Sequence, residues 1–168
     1  LSFSAGRRAL FGYFYGKSAL RFDPQTGETI QTFRGVREVY ASPMNSDILC
    51  TDKKRLSLYG PSGERLWSAQ RESFAILDVG WSGETVAISE TVGGPSGIRC
   101  YSRHGELLWR YKGRKGQTSP FMYNPETRSY IGVDYVAGPA ERLLVQWDEE
   151  TGTIKKEQVI TSGSHGRL

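Results

Sequence analysis

Leu56-Ser-Leu-Tyr-Gly-Pro-Ser-Gly63-Glu-Arg-Leu66-Trp67 and Ile98-Arg-Cys-Tyr-Ser-Arg-His-Gly105-Glu-Leu-Leu108-Trp109 are two copies of one pattern. Each is a short β-type run ending in an aromatic residue, then a polar turn, a glycine and a second β-type run. Two further copies flank them: Leu20-Arg-Phe-Asp-Pro-Gln-Thr-Gly27-Glu-Thr-Ile30 and Leu144-Val-Gln-Trp-Asp-Glu-Glu-Thr-Gly152-Thr-Ile154. Glycine at the close of the turn supplies the positive φ that a tight hairpin needs. The turn glycines stand 36, 42 and 47 residues apart. A second landmark keeps the same step: Ser4, Ser42, Ser82 and Asn124 recur at 38, 40 and 42 residues.

Outward from each hairpin lie two more β-type runs. The first set is Leu1–Ser4, Val36–Ser42, Ala75–Ser82 and Ser119–Asn124; the second is Ala9–Tyr15, Ile48–Thr51, Thr85–Ser89 and Tyr130–Tyr135. Each repeat therefore reads as four strands, a to d. No window carries apolar residues at i, i+3, i+4 and i+7 over three turns, so no helix is expected. A four-stranded unit repeating near 40 residues is the blade of an all-β propeller. The expectation is a single domain over 1–168, with blades at about 1–35, 36–74, 75–118 and 119–158 and a tail at 159–168. That tail reads either as a latch beside Leu1–Ser4 or as a long last strand d. The reading favours a small ring of four antiparallel blades over a portion of a larger ring, which would expose apolar blade faces.

The stretch from Leu1 to Phe33 resembles a generic WD-repeat blade, and the Leu58–Trp67 and Cys100–Trp109 segments resemble the repeat of pyrroloquinoline-quinone (PQQ)-type propellers, where the turn glycine leads to an apolar residue and Trp. The resemblance implies a propeller fold and carries over no catalytic residue. The WD dipeptide itself occurs once, as Trp147-Asp148, and no blade opens with a Gly-His pair.

Composition sets the outer bounds. With 38% hydrophobic and 24% charged residues, the 168-residue chain is that of a folded globular protein rather than a disordered one. No apolar run approaches the roughly 20 residues of a membrane helix, and no membrane partner is expected. Leu1–Leu10 has charges in its middle and no apolar core, so it does not read as a signal peptide. The chain does not begin with Met, and a leader removed by processing is compatible with that start. Cys50 and Cys100 lie in different repeats and read as buried free thiols, which fits the cytoplasm.

The net charge of +4 hides a division. Loops b–c and d–a belong to one face of a propeller and collect nine bases against four acids; loops a–b and c–d collect ten acids against five bases. Candidate partner-binding residues are Lys53, Lys54, Arg55, Arg71, Lys112, Arg114 and Lys115, a field suited to an acidic protein surface or to phosphate. Arg37, Glu38 and Asp78, at or near the starts of strands a together with Ser119, are candidates for a central-channel network because buried strand charges need partners.

Catalytic and metal-binding patterns are not found. His104 reads as a solvated turn residue, and no CxxC or HxxxH spacing occurs. Ser162-Gly-Ser164-His165 falls in a Gly-rich tail, Gly93–Gly97 lacks the Lys-Ser/Thr of a phosphate cradle, and Asp148–Glu150 would hold Ca²⁺ only if more oxygens converged. Trp67, Trp81, Trp109 and Trp147 read as packing residues. The expected function is a non-catalytic, cofactor-free, monomeric binding module engaging an acidic partner through its basic face, in an inhibitor or immunity-type setting. The alternatives are a small-ligand binder or enzyme with a site in the channel, and a nucleic-acid binder stacking bases on Tyr15 or Tyr111.

Overall fold

The structure is a computed structural model that describes residues 2–3, 10–14, 18–23, 25–72, 75–91, 97–114, 118–137 and 141–161. Lys115, Tyr15, His165 and most of the Gly93–Gly97 loop lie outside the described residues.

Sixteen strands form four sheets among the described residues. The first sheet orders β1 (Ser2–Phe3), β2 (Leu10–Phe14), β3 (Ser18–Phe22) and β4 (Thr29–Arg34); the second, β5 (Glu38–Ala41), β6 (Ile48–Thr51), β7 (Arg55–Tyr59) and β8 (Arg65–Gln70). The third orders β9 (Ala75–Trp81), β10 (Thr85–Thr91), β11 (Gly97–Ser102) and β12 (Leu107–Lys112); the fourth, β13 (Thr118–Asn124), β14 (Ser129–Ala137), β15 (Glu141–Asp148) and β16 (Ile154–Thr161). Every sheet is an antiparallel meander in chain order, as the a-to-d reading requires. β16 runs through Thr161, which pairs with Glu141. Val159–Thr161 thus extends the last strand d, because the long β15 offers it a ladder to complete. Glu90 and Glu141, expected in loops, lie in strands β10 and β15.

The turn chemistry is where the repeat is written most plainly. Gly27, Gly63, Gly105 and Gly152 have φ of 74°, 89°, 93° and 68°, the left-handed region that side chains with a Cβ avoid. The residue that opens the turn ties it: Asp23 Oδ1 accepts from the N–H of Gln25 and Thr26, and Asp148 Oδ1 from the N–H of Glu150 and Thr151. Space adds a second demand. A Cβ on Gly63 would meet the Gln31 side chain at 2.6 Å, one on Gly105 would meet Trp67 at 2.7 Å, and one on Gly152 would meet Trp109 at 2.5 Å. Gln31, Trp67 and Trp109 occupy matching places on strands d. Each of these turn glycines therefore seats against the strand d of the preceding repeat, which is why the Gly-x-x-x-Trp spacing recurs.

Contacts divide the chain into two compact units: Leu1–Glu72 with Ser102–Glu106, and Ser73–Tyr101 with Leu107–Leu168. The core of the first gathers Ala19, Phe33, Val36, Ile48 and Cys50, with Phe33 edge-on to Tyr59. Ile48, Leu49, Leu56 and Leu58 are almost wholly buried, and each such side chain contributes about 2 kcal/mol. The core of the second gathers Ala87, Ile98, Cys100, Trp109, Tyr130, Leu143, Val145 and Trp147. All four tryptophans are buried, and both cysteines are buried free thiols whose ionisation burial pushes up to about 12.

Candidate functional site

The densest run of cations, Lys53-Lys54-Arg55, sits on the turn between β6 and β7. Asp52 builds that turn: its Oδ1 accepts from the N–H of Lys54 at 2.6 Å and of Arg55 at 2.7 Å. An Asp that bonds backbone two and three residues on folds the chain locally and leaves the intervening side chains pointing outward. Lys53, Lys54 and Arg55 are all exposed. Among the described residues, none of the three makes an ion pair with a carboxylate of the protein.

Arg71 lies just beyond β8 and was expected to be a fourth surface cation. Its side chain is 1% exposed instead. One guanidinium nitrogen donates to Thr51 Oγ1 at 3.2 Å and to the Asp52 carbonyl at 3.0 Å, and the other meets Glu38 Oε2 at 3.2 Å. Thr51 Oγ1 also donates to Glu38 Oε2 at 2.8 Å, and the Arg71 N–H donates to the Lys54 carbonyl at 2.7 Å. Arg71 is a brace under the cationic turn, with Glu38 as its counter-ion. A partner-binding candidate and a channel candidate are thus joined in one network. Above it opens a cleft of about 620 Å³ lined by Lys53, Lys54, Arg55, Ser68, Ala69, Gln70 and Arg71. An open cleft with several unneutralised cations concentrates anionic groups and lowers the cost of docking them.

The other expected residues distribute as follows. Arg37 is exposed beside β5. In the second unit Asp78 on β9 accepts from Ser119 Oγ on β13 at 2.6 Å, so these two strands a are bonded through side chains. Lys112 is exposed. Arg114 is engaged: it donates to Glu157 Oε2 at 2.7 Å and stands 3.8 Å from Asp134, and its bond to Glu157 raises its pKa. Tyr111, a possible stacking platform, is half-buried, edge-on to Trp147, and donates its hydroxyl to Asp134 Oδ2 at 2.7 Å. Burial and that bond push its pKa upward. Its ring is a packing element.

The acids of the other loops are also more committed than their sequence positions suggest. Asp47 is 1% exposed and takes a bidentate contact from Arg103, at 2.7 and 3.0 Å. Glu149 is buried and accepts from Tyr123 at 2.8 Å, Thr85 at 3.1 Å and Arg128 at 3.3 Å. Burial alone would raise its pKa; the bonds from Ser82, Tyr123, Thr85 and Arg128 outweigh it and hold the carboxyl below its ordinary value. Tyr123 in turn is pushed up to about 12, by burial and then by Glu149. Asp148 is held low by Lys155, which meets it at 2.7 Å. Asp148 and Glu149, considered above as Ca²⁺ ligands, therefore serve as turn and staple acids.

Sequence reasoning missed Ser68 and Gln70 as lining residues and Asp134 as a hub that accepts from Thr118, at 2.8 Å, and from Tyr111. Ser68 and Gln70 alternate on one face of the strand d that the a-to-d reading places at the end of its sheet, but the single sequence does not show that a cleft opens along them.

No protein-family model and no curated protein sequence matches the chain. Solved structures do. The WD40 domain of Toxoplasma gondii coronin superposes on 96% of this chain with a TM-score of 0.74 at 15% identity, and the Neurospora crassa Pan2 WD40 domain on 94% with a TM-score of 0.59 at 14% identity. Quinohemoprotein alcohol dehydrogenase from Comamonas testosteroni superposes on 92% with a TM-score of 0.66 at 14% identity. The matched parts are 47%, 48% and 34% of those chains, so this chain spans about half the length of the two WD40 domains and a third of the dehydrogenase. The fold is a WD/PQQ-type β-propeller fold.

Proposed function

We propose that the chain is a non-catalytic, protein-binding module of the propeller fold that engages an acidic partner through Lys53, Lys54 and Arg55. One observation carries this reading: three exposed cations stand on a turn braced by Asp52 and Arg71, face an open cleft, and among the described residues are paired with no carboxylate. The acid nearest in the chain, Asp52, is turned to the backbone, and Glu38 is held by Arg71 and Thr51. The positive charge is therefore available to an external anion, and the rigid turn limits the entropy lost on docking. The setting we infer is an inhibitor or immunity-type protein that works as a monomer in the cytoplasm and covers the acidic surface of a toxin or enzyme.

Fluorescence anisotropy with labelled polyglutamate tests it. The K53E/K54E/R55E variant is expected to bind about 100-fold more weakly, with a binding free energy that falls with added salt. Its folding stability should stay within about 0.5 kcal/mol of the parent, since surface residues of this kind contribute little to folding. Unchanged affinity in the variant would overturn the reading. Tighter binding of a single-stranded oligonucleotide than of polyglutamate would move the assignment to nucleic acid.

A further inference from the structure

The cationic turn and the cleft share their wall with a strand edge. β8 is the last strand in the order β5-β6-β7-β8, so among the described residues no strand of its sheet lies along its outer side. The direction of its backbone groups follows from the register. Arg71 N–H bonds the Lys54 carbonyl, and the ladder continues as Arg55↔Gln70, Leu56↔Ala69 and Ser57↔Ser68. In an antiparallel ladder, bonded and non-bonded pairs alternate. With Lys54–Arg71 bonded, Leu56–Ala69 is the next bonded pair, and Ser68 turns its N–H and C=O away from β7 to the outer side. The Ser68 side chain stays on the sheet face with Ser57, 3.2 Å away between hydroxyls. Arg55 and Gln70 share that face, because side chains repeat every second residue.

The geometry points to β-strand addition: an extended acidic segment of the partner pairs with the outer edge of β8 at Ser68, as a fifth strand of the second sheet. A strand placed there lies about 4.8 Å from β8 and sends alternate side chains to the face of Arg55, with Lys53 and Lys54 lining the same cleft. Main-chain bonds would supply affinity and the three cations would select acidic side chains. The proposal rests on the reading of the cleft as an acidic-partner site and adds the conformation in which the partner binds. Two features fit an edge that is used rather than protected. The cleft opens beside consecutive residues Ser68, Ala69 and Gln70, and the lysines that often blunt an edge sit on the adjoining turn, where they attract an acidic strand.

The test uses the intact protein, a labelled peptide alternating Glu and Val, and the same peptide N-methylated at each Glu, which keeps the charge and removes the donors that an antiparallel strand with its Glu side chains on the Arg55 face turns towards β8. The plain peptide should bind at least about tenfold more tightly than the methylated one, and it should slow amide exchange at Ser68. Equal binding of the two, or unchanged exchange at Ser68, overturns strand addition. If that equal binding still falls in K53E/K54E/R55E, the acidic-partner reading stands without it. If neither peptide nor polyglutamate responds to that variant, the acidic-partner reading fails. The Ser68→Pro variant supplies a second check, as it removes the outward N–H without taking a β7 bond. A folded S68P protein, verified by circular dichroism, that binds the plain peptide like the parent also overturns the proposal.

Discussion

Among the described residues, Lys53, Lys54 and Arg55 in the first unit have no carboxylate partner, whereas Arg114, Arg128 and Lys155 in the second unit are all countered. Arg114 meets Glu157 and Asp134, Arg128 meets Glu149 and Glu150, and Lys155 meets Asp148. The residue types are the same and the strand plan is the same. The difference lies in which acids the ladder brings alongside. β16 carries Glu157 on its long outer strand, within reach of Arg114. In the second sheet the available acid, Glu38, lies on the first strand and is claimed by Arg71. Paired cations hold the structure together, and unpaired cations leave a charge to be matched from outside.

That contrast predicts which substitutions unfold the protein and which only weaken binding. The largest expected effect is at Asp134, fully buried and bonded to Thr118 and Tyr111. Asp134→Ala leaves those donors without their acceptor and should lower stability by about 3 kcal/mol in urea unfolding. A loss below about 1 kcal/mol would show that the second unit does not depend on its paired charges. Next comes Arg71→Met. Removing the guanidinium withdraws its contacts to Thr51, Asp52 and Glu38 from under the turn and should cost about 2 kcal/mol, with polyglutamate affinity also reduced. Stability lost with affinity unchanged would separate the brace from the site and break the link drawn between them.

The smallest effect is a pH dependence. Glu149 has its pKa lowered in the folded protein, so its contribution is present in full above the ordinary carboxylate value of about 4.3 and is lost as pH falls through the lowered value. Glu149→Gln should be less stable than the parent by about 1 kcal/mol at neutral pH. The gap should narrow as pH falls below about 4. A gap that stayed constant into acid would mean that the Glu149 staple works through shape alone.

Much of the fold was legible because a repeat states the same physical requirement four times. The turn glycines at 27, 63, 105 and 152 were readable as left-handed positions, and all four are. Trp67 and Trp109 were readable as packing residues from their shared place after the turn, and they are the surfaces on which Gly105 and Gly152 seat. The site was legible in part. Lys53, Lys54 and Arg55 were visible as a charge run, but Arg71 looked like one more member of it. Its burial depends on Thr51, Asp52 and Glu38 meeting it across β5, β6 and the turn. Partners 20 and 33 residues away in the chain leave no local signal. Asp47 and Arg103, 56 residues apart, were hidden for the same reason.

The sequence by itself determined the strand count per repeat, the turn geometry and the blade period, because these depend on glycine's freedom at φ, on the alternation of apolar residues and on spacing along the chain. Tertiary structure alone decided which charges are neutralised and which side chains line the cleft beside the cationic turn. Those outcomes depend on distances of a few ångströms between residues far apart in sequence, and ion pairing and desolvation act only over such distances.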